Sequence, residues 1–442
     1  MLKPTKLLFG TDINPMKQET EIPHSISRRT FLGHAATASA LGVIPYTSSA
    51  ASYKRSIGAN DRIRIGQIGC GSRGFGVHQR YVKQHAEAEN LEVVAVCDPY
   101  KPAQEKVAAH VKEWSGRAPK QFTSFRDMLE MKDLDAVMIA SPDHVHTLHL
   151  EAVAKTGKHC YAEKPLGIEL DALKRAVDAA EEAKIIVQIG TQHRTEASNV
   201  GCQKLLESGI LGHISRVEQV RNAAQPYWYK RLDPTIRKED LDWDEFTNGR
   251  TDKPFDPLLY TGWYGYYEFS QGPVAQLGSH YIDLIHYLTG LHIPETCNCH
   301  GGTYTWKDDY RFTVPDQIDA IWSYPEDTVV TYTTNFGNSS GNRTRIMGEK
   351  GTLELERRGI AIYTAEGGIN RDGSIRGKNE VEDIQRPDHF LNWFQALRGK
   401  AEPHAPLEAG YRHAVATIMA QMSYESGRRS RYHADSRKIT LD

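Results

Sequence analysis

Short apolar runs and amphipathic stretches alternate through the first half of the chain. The runs are Ile63 to Gly69, Leu91 to Cys97, Ala136 to Ala140, Lys158 to Tyr161 and Ile185 to Ile189. Residues 75 to 86, 101 to 114, 144 to 156 and 169 to 183 have helical character between them. Strand–helix alternation of this kind predicts parallel strands joined by right-handed crossovers. Unbroken apolar runs suit strands buried on both faces. The rhythm changes further along. Residues 213 to 224, 316 to 324, 328 to 336 and 343 to 356 have strand composition, and Gly348-Glu349-Lys350-Gly351 reads as a turn. An apolar helix follows Gln276 and ends near Gly290, and two more helices are expected at Asp388 to Leu397 and Leu407 to Glu425.

Length and composition narrow this to a globular protein of more than one domain. The chain has 442 residues, 39% apolar and 25% charged, which excludes a disordered or collagenous chain. Lys and Arg number 54 against 56 Asp and Glu, so no basic excess points to nucleic acid or an acidic membrane. No apolar run reaches the roughly 18 residues of a membrane span.

Residues 1 to 51 read differently. Ser27-Arg28-Arg29-Thr30-Phe31-Leu32 precedes a weakly apolar stretch from Gly33 to Tyr46, then small residues from Ser48 to Ala51. A basic region, a short apolar region and small residues in that order make a signal peptide, and the Arg pair makes it twin-arginine. The expected location is periplasmic. That route carries folded proteins, so structural disulfides are not expected among the six cysteines. Their spacing offers no zinc site either, and no metal is expected.

The first strand ends on Gly69-Cys70-Gly71-Ser72-Arg73-Gly74. A G-x-G-x-x-G between a strand and a helix is the context for binding a dinucleotide. Gly69 permits the tight turn, Gly71 admits a pyrophosphate and Gly74 lets helix and strand pack closely. Ser72 and Arg73 open the helix whose free N–H groups would meet the phosphates. Asp98 ends the second run. It suits the adenosine ribose hydroxyls and would repel a 2′-phosphate, favouring NAD over NADP; Asp98-Pro99 also reads as a helix start.

Two further turns close apolar runs at the edge where open α/β sheets place ligands: Ser141-Pro142-Asp143-His144-Val145-His146 and Glu163-Lys164-Pro165. Gln276-Leu277-Gly278-Ser279-His280-Tyr281-Ile282-Asp283 enters the apolar helix. With the Gly-rich loop, these residues make the chain resemble the Gfo/Idh/MocA oxidoreductases over residues 62 to 430.

The resemblance implies an α/β protein with three folded parts. A Rossmann NAD-binding domain spans 62–190. An α+β domain on an open, mostly antiparallel sheet spans 191–385, for substrate and oligomer contacts. C-terminal helices pack across both in 386–442. It implies that Lys164 donates to the reacting oxygen, that His280 moves the proton, and that Glu163 lies near the nicotinamide ribose, with Ser141, Pro142, His144 and His146 beside the cofactor. It implies a homodimer or homotetramer. One departure stands out: the family often has Asp four residues before this His, and here that position is Gln276. Asp283, one turn beyond His280, is the candidate substitute.

Arg194, after the run ending at Ile189, is a candidate for substrate contact, or a solvated interdomain Arg. Nine Tyr and Trp residues lie between Tyr227 and Tyr267, Tyr260 and Trp263 among them. Such rings stack on the C–H faces of sugars, or cement a loop. The expected reaction is NAD-dependent oxidation of a CH–OH group in a sugar, glycoside or cyclitol. Free NAD is scarce outside the cytoplasm, so the cofactor is expected to stay bound and be restored in each cycle. The alternatives are a redox-neutral NAD-dependent glycosidase, which oxidises, eliminates and reduces again, and a dinucleotide-binding protein without turnover.

Overall fold

Six parallel strands form the first sheet of the computed structural model, which describes residues 61–356 and 359–442. The segment expected to be an export signal lies outside them. The strands are β1 (Ile63–Ile68), β2 (Leu91–Cys97), β3 (Lys120–Phe122), β4 (Ala136–Ile139), β5 (His159–Ala162) and β6 (Val187–Ile189), in the order β3-β2-β1-β4-β5-β6. Helices α1 (Gln79–His85), α2 (Lys101–Ser115), α3 (Phe125–Leu129), α4 (His146–Lys155) and α5 (Leu170–Glu182) connect them. β4 and β5 are buried at every position, as doubly covered strands should be. The strand order reverses between β1 and β4, which opens a crevice at their carboxyl ends. β3 was not anticipated: its three residues, Lys-Gln-Phe, are half to fully exposed at the sheet edge and carry no apolar signal.

The chain then passes through α6 (Ala197–Glu207) into a ten-stranded sheet. Its strands are β7 (Ile214–Val220), β8 (Thr296–Gly302), β9 (Gln317–Tyr324), β10 (Thr328–Asn335), β11 (Arg343–Gly348), β12 (Thr352–Glu356), β13 (Ala361–Thr364), β14 (Lys378–Glu380), β15 (Ser430–His433) and β16 (Lys438–Leu441). The order is β14-β13-β12-β11-β7-β10-β9-β8-β15-β16. Only β7 and β10 pair in parallel; the other neighbours are antiparallel. Burial alternates strictly along β9 and β10, so one face is core and the other open.

Helices α9 (Ser279–Thr289), α10 (His389–Leu397) and α11 (Leu407–Ser426) complete the frame. α9 stops at Gly290, whose φ of 76° supplies the left-handed cap. α11 is buried nearly all round, its Ala414, Ala416 and Ala420 letting neighbours approach, and the Ala416 carbonyl accepts from the Trp322 indole at 2.9 Å. α10 packs Phe390 on Tyr161 of β5 and on Tyr81 of α1, with ring centroids 4.8 and 4.5 Å apart. Between β7 and α9 runs a long strap, residues 221 to 278, which carries α7 (Trp243–Thr247) and α8 (Pro257–Thr261). Among the described residues no helix is long and apolar enough to cross a membrane. Cys70, Cys97, Cys160, Cys202 and Cys297 are buried free thiols, and Cys299 is half-buried.

Candidate active site

A cavity of about 710 Å³ lies at the carboxyl edge of the first sheet. That is within the roughly 300–1,000 Å³ of ligand pockets. Its lining includes Gly69, Gly71, Ser72 and Arg73 of the Gly-rich loop, Cys97 and Asp98, Ser141 to Asp143, and Lys164, Gln276 and His280.

The Gly-rich loop is built as its spacing required. Gly69 has φ +85°, and a side chain there would sit 2.5 Å from the Ala140 carbonyl. A Cβ on Gly74 would lie 2.0 Å from the Gly69 carbonyl oxygen, so Gly74 faces the strand and not the cavity. A Cβ on Gly71 would meet nothing within 4 Å. That open space is at the helix start, where a phosphate group fits. The Arg73 Nη2 is buried without a partner, as is the Tyr227 hydroxyl in the same cavity. These features fit a dinucleotide.

Asp98 lines the cavity and also fastens its rim. Its Oδ2 accepts from the Cys70 amide at 2.6 Å and its Oδ1 from the Tyr100 amide at 2.8 Å. Burial pushes its carboxyl up to about 6. The helix-start reading of Asp98 thus has a counterpart two residues on: α2 is capped at Tyr100, and Asp98 holds that turn.

The turn after β4 divides its labour. The Ser141 hydroxyl bonds the His149 Nδ1 at 2.9 Å. His146 bridges the Ser141 and Pro165 carbonyls at 2.7 Å each, tying this turn to the one after β5. Pro142 lines the cavity. His144, expected beside the cofactor, is absent from the lining. Its Nε2 meets the Phe246 carbonyl at 2.9 Å, so it anchors the strap, and burial lowers it to about 3.

Glu163 is more committed than expected of a ribose contact. Its Oε1 accepts from the Arg73 Nε at 2.6 Å and the Gln192 Nε2 at 3.4 Å, and lies 3.0 Å from the His78 Nε2. A buried carboxylate needs such partners, and the nearby Arg73 and His78 hold it well below the ordinary range despite its burial. The carboxylate lies against Gly190, where a Cβ would come within 2.5 Å.

Lys164 lies just after β5 and precedes Pro165 across a cis peptide bond. Its Nζ donates to the main-chain oxygen of Gln276 at 2.8 Å. Burial lowers the ammonium's pKa, opposed by Asp143 and Glu163. Gln276 sits in a π-helical turn, Val274–Gly278, that leads into α9. Such turns recur at functional sites. His280 is on the first turn of α9, its Nδ1 enclosed without a hydrogen-bond partner and its ring edge-on to His193 at 5.1 Å. Burial first, then Lys164, lowers its pKa well below 6.5. Among the described residues no carboxylate hydrogen-bonds to it. Asp283 instead grips Arg194 through two bonds of 2.8 Å and lies 3.8 Å from His413. Neither Arg194 nor Asp283 lines the cavity. Each of these two residues satisfies the buried charge of the other.

Tyr260 and Trp263 both line the cavity, at different places. Tyr260 lies beside Tyr100, ring centroids 5.7 Å apart, at the Asp98 end. Trp263 stacks on Tyr264 with centroids 3.7 Å apart and planes 21° from parallel. Residues passed over in the sequence also face this space: Asp143, Tyr227, Tyr264 and Arg231. Asp143 stood inside a motif already singled out; the others carried only a general aromatic or basic signal.

Residues 63–191 match the model of an oxidoreductase family's NAD-binding Rossmann fold, and residues 241–432 its C-terminal alpha/beta domain. The chain is 24% identical over 291 residues to a glycosyl hydrolase family 109 protein of Shewanella sp. strain W3-18-1, covering 61% of this chain and 59% of that one. Among solved structures, the WlbA dehydrogenase of Bordetella pertussis, in complex with NADH and UDP-GlcNAcA, shares the fold with TM-score 0.62 and 24% identity over 85% of this chain and all (100%) of that one. The aldose-aldose oxidoreductase of Caulobacter crescentus does so with TM-score 0.64 and 19% identity, over 84% and 99%.

Proposed function

Because the chain belongs to the Gfo/Idh/MocA family of oxidoreductases and carries its NAD-binding Rossmann fold, we propose that it oxidises a CH–OH group of a sugar, glycoside or cyclitol with NAD that stays bound. The observation that carries this is that Lys164 and His280 line the same cavity as the Gly-rich loop. Bound NAD would supply the acceptor for the hydride that leaves the carbinol carbon. The Lys164 ammonium donates to the oxygen and stabilises the negative charge that grows there. The His280 ring, kept neutral, accepts the hydroxyl proton and returns it in the reverse direction. Gly71 and Arg73 would hold the pyrophosphate and Asp98 the adenosine ribose. The stacked Trp263 and Tyr264 give a sugar ring an apolar face, and the Tyr227 hydroxyl gives it a polar one.

Retention of the cofactor is supported by the strap. Its Arg231 Nη1 donates to the Ser72 hydroxyl at 2.5 Å, on the loop that holds the pyrophosphate. Its Asp242 amide donates to the Pro99 carbonyl at 3.0 Å, and its Glu245 pairs with Arg126 at 3.3 Å. These contacts tie the strap to the Gly-rich loop, to the turn after β2 and to α3 beside the cavity, which favours a cofactor that stays bound. Retention suits an exported enzyme. The Ser27 to Leu32 motif supports twin-arginine export to the periplasm, and the open face of the ten-stranded sheet suits a homodimer or homotetramer. The relative named as a glycosyl hydrolase favours one second reading, transient oxidation and elimination with no net redox change.

The test uses protein without residues 1 to 51, purified with no added nucleotide, then denatured so that released dinucleotide is identified and counted per chain. NAD near one per chain is expected. Sugars and aryl glycosides are then offered to the intact protein. Reduction of the bound NAD by a sugar supports the oxidoreductase. Aglycone release without accumulating NADH supports the second reading. Bound NAD that no sugar or glycoside reduces leaves a protein that binds without turnover.

A further inference from the structure

The position where the family often carries Asp holds Gln276, and its side chain has a definite partner. The Gln276 Nε2 donates to the Oδ2 of Asp143, from the turn after β4. The Ser270 hydroxyl donates to the same oxygen at 3.1 Å. Both contacts use Oδ2, while Asp143 itself lines the cavity. The main-chain oxygen of Gln276 accepts from the Lys164 Nζ at 2.8 Å. One residue thus connects the buried carboxyl of Asp143 to the ammonium expected at the reacting oxygen.

The pairing explains the departure. A carboxylate at 276 would face the Asp143 carboxylate at hydrogen-bond range, and two like charges in one buried site cannot both be ionised cheaply. An amide there donates instead. The site keeps one carboxyl and moves it from the His280 helix to the first sheet.

We propose that Asp143 is a positioning residue for the reaction: it supplies, through Gln276, the carboxyl function absent from the His280 helix and holds the charge and place of Lys164. Other groups bear on the same pair. Glu163 and Arg73 act on Lys164 from β5 and the Gly-rich loop, His146 acts on Asp143 from α4, and His280 faces Lys164 from α9. Glu163 is already engaged by Arg73 and His78. Asp143 is therefore the carboxyl whose charge is least spent near Lys164.

The proposal rests on the oxidoreductase reading for what Lys164 does, but its test needs no turnover. Purified protein, with whatever nucleotide it retains, is exposed to a trace of trinitrobenzenesulfonate at a series of pH values. Labelling of Lys164 is quantified by peptide mass against an exposed lysine such as Lys101. Asp143→Asn keeps an oxygen for Gln276 and removes the charge. The midpoint for Lys164 is expected to fall by about one pH unit or more. Gln276→Asp alone sets two carboxyls face to face. Asp143→Asn/Gln276→Asp returns one carboxyl to the helix, and the midpoint is expected to move back toward the wild-type value. Thermal melts and nucleotide content identify any variant that is merely misfolded. A midpoint unchanged in folded Asp143→Asn, or one that falls and is not restored in the double variant, overturns the proposal. Failure of the functional reading would appear separately, as wild-type protein whose bound NAD no sugar reduces.

Discussion

Burial lowers the proton affinity of both Lys164 and His280, Arg73 lowers Lys164 further, and the Lys164 ammonium lowers His280 further. The consequence is a pair that works with His280 neutral and Lys164 charged. A base must be deprotonated to act, so activity requires a pH above the His280 value, which lies well below the ordinary 6.5. The ammonium must be protonated to donate, so activity fails above the Lys164 value, itself lowered from 10.5. The profile of kcat/KM for reduction of bound NAD should therefore keep its full height down through pH 6.5 and fall at alkaline pH below 10.5. An acid limb at or above 6.5 would remove His280 from the role of base. Lys164→Met keeps the length of the side chain and removes its donor. Loss of one such donor is worth about 10²–10³ in rate. Reduction of the bound NAD should drop by that factor in rapid-mixing experiments, with nucleotide per chain unchanged.

Among the elements, the Gly-rich loop separates what the fold needs from what the ligand needs. Gly74 packs on the Gly69 carbonyl, whose oxygen would lie only 2.0 Å from a Cβ, whereas Gly71 faces open space. Gly74→Ala should therefore lower the melting temperature of nucleotide-free protein, at an overpacking cost of about 1–3 kcal/mol, and weaken NAD binding with it. Gly71→Val should leave that melt nearly unchanged and abolish NAD binding in calorimetry. Equal effects of the two on the melt would mean that Gly71 is structural as well. The strap gives a third comparison: Arg231→Ala should speed the loss of NAD during dialysis without altering the melt of the empty protein. This contrast also marks what the sequence made legible. β1, β2, β4, β5 and β6 announced themselves as apolar runs, because both their faces are buried. The edge strand β3 and the polar pair β15 and β16 did not, since hydrogen bonds to a neighbour, not apolar burial, define them. β8 hid because its Cys-Asn-Cys-His-Gly-Gly run lacks alternation; it needs Gly301, where a Cβ would come 2.4 Å from the Gln317 carbonyl of β9. At the site, Lys164 and His280 stood in recognisable turns. The bond between Asp143 and Gln276, 133 positions apart, and that between Arg194 and Asp283, 89 apart, exist only once the two sheets are assembled.

The molecule as a whole buries an unusual amount of histidine in neutral form, and this sets its response to acid. Burial lowers His144 and His286 to about 3, and His159 and His389 to about 4. In the unfolded chain each titrates near 6.5, so below that pH the unfolded state binds the extra proton and stability falls. At pH 5 each ring removes about 2 kcal/mol relative to pH 7. Asp98 and Asp143 work in the opposite direction. Burial raises both from 3.8 to about 6, so the folded state takes up their protons first and regains about 1.3 kcal/mol from each between pH 7 and 5. Glu163 and Asp283, held low by Arg73 and Arg194, keep their stabilising charge through this range. The histidines win, by about 5 kcal/mol at pH 5, which is comparable with the whole stability of many domains. Urea unfolding of nucleotide-free protein should show a midpoint far lower at pH 5 than at pH 7, with the steepest loss beginning below 6.5. A midpoint that held or rose across that interval would mean that the buried imidazoles gain protons in the folded state, and with them His280 would lose the neutral ring on which its proposed chemistry depends.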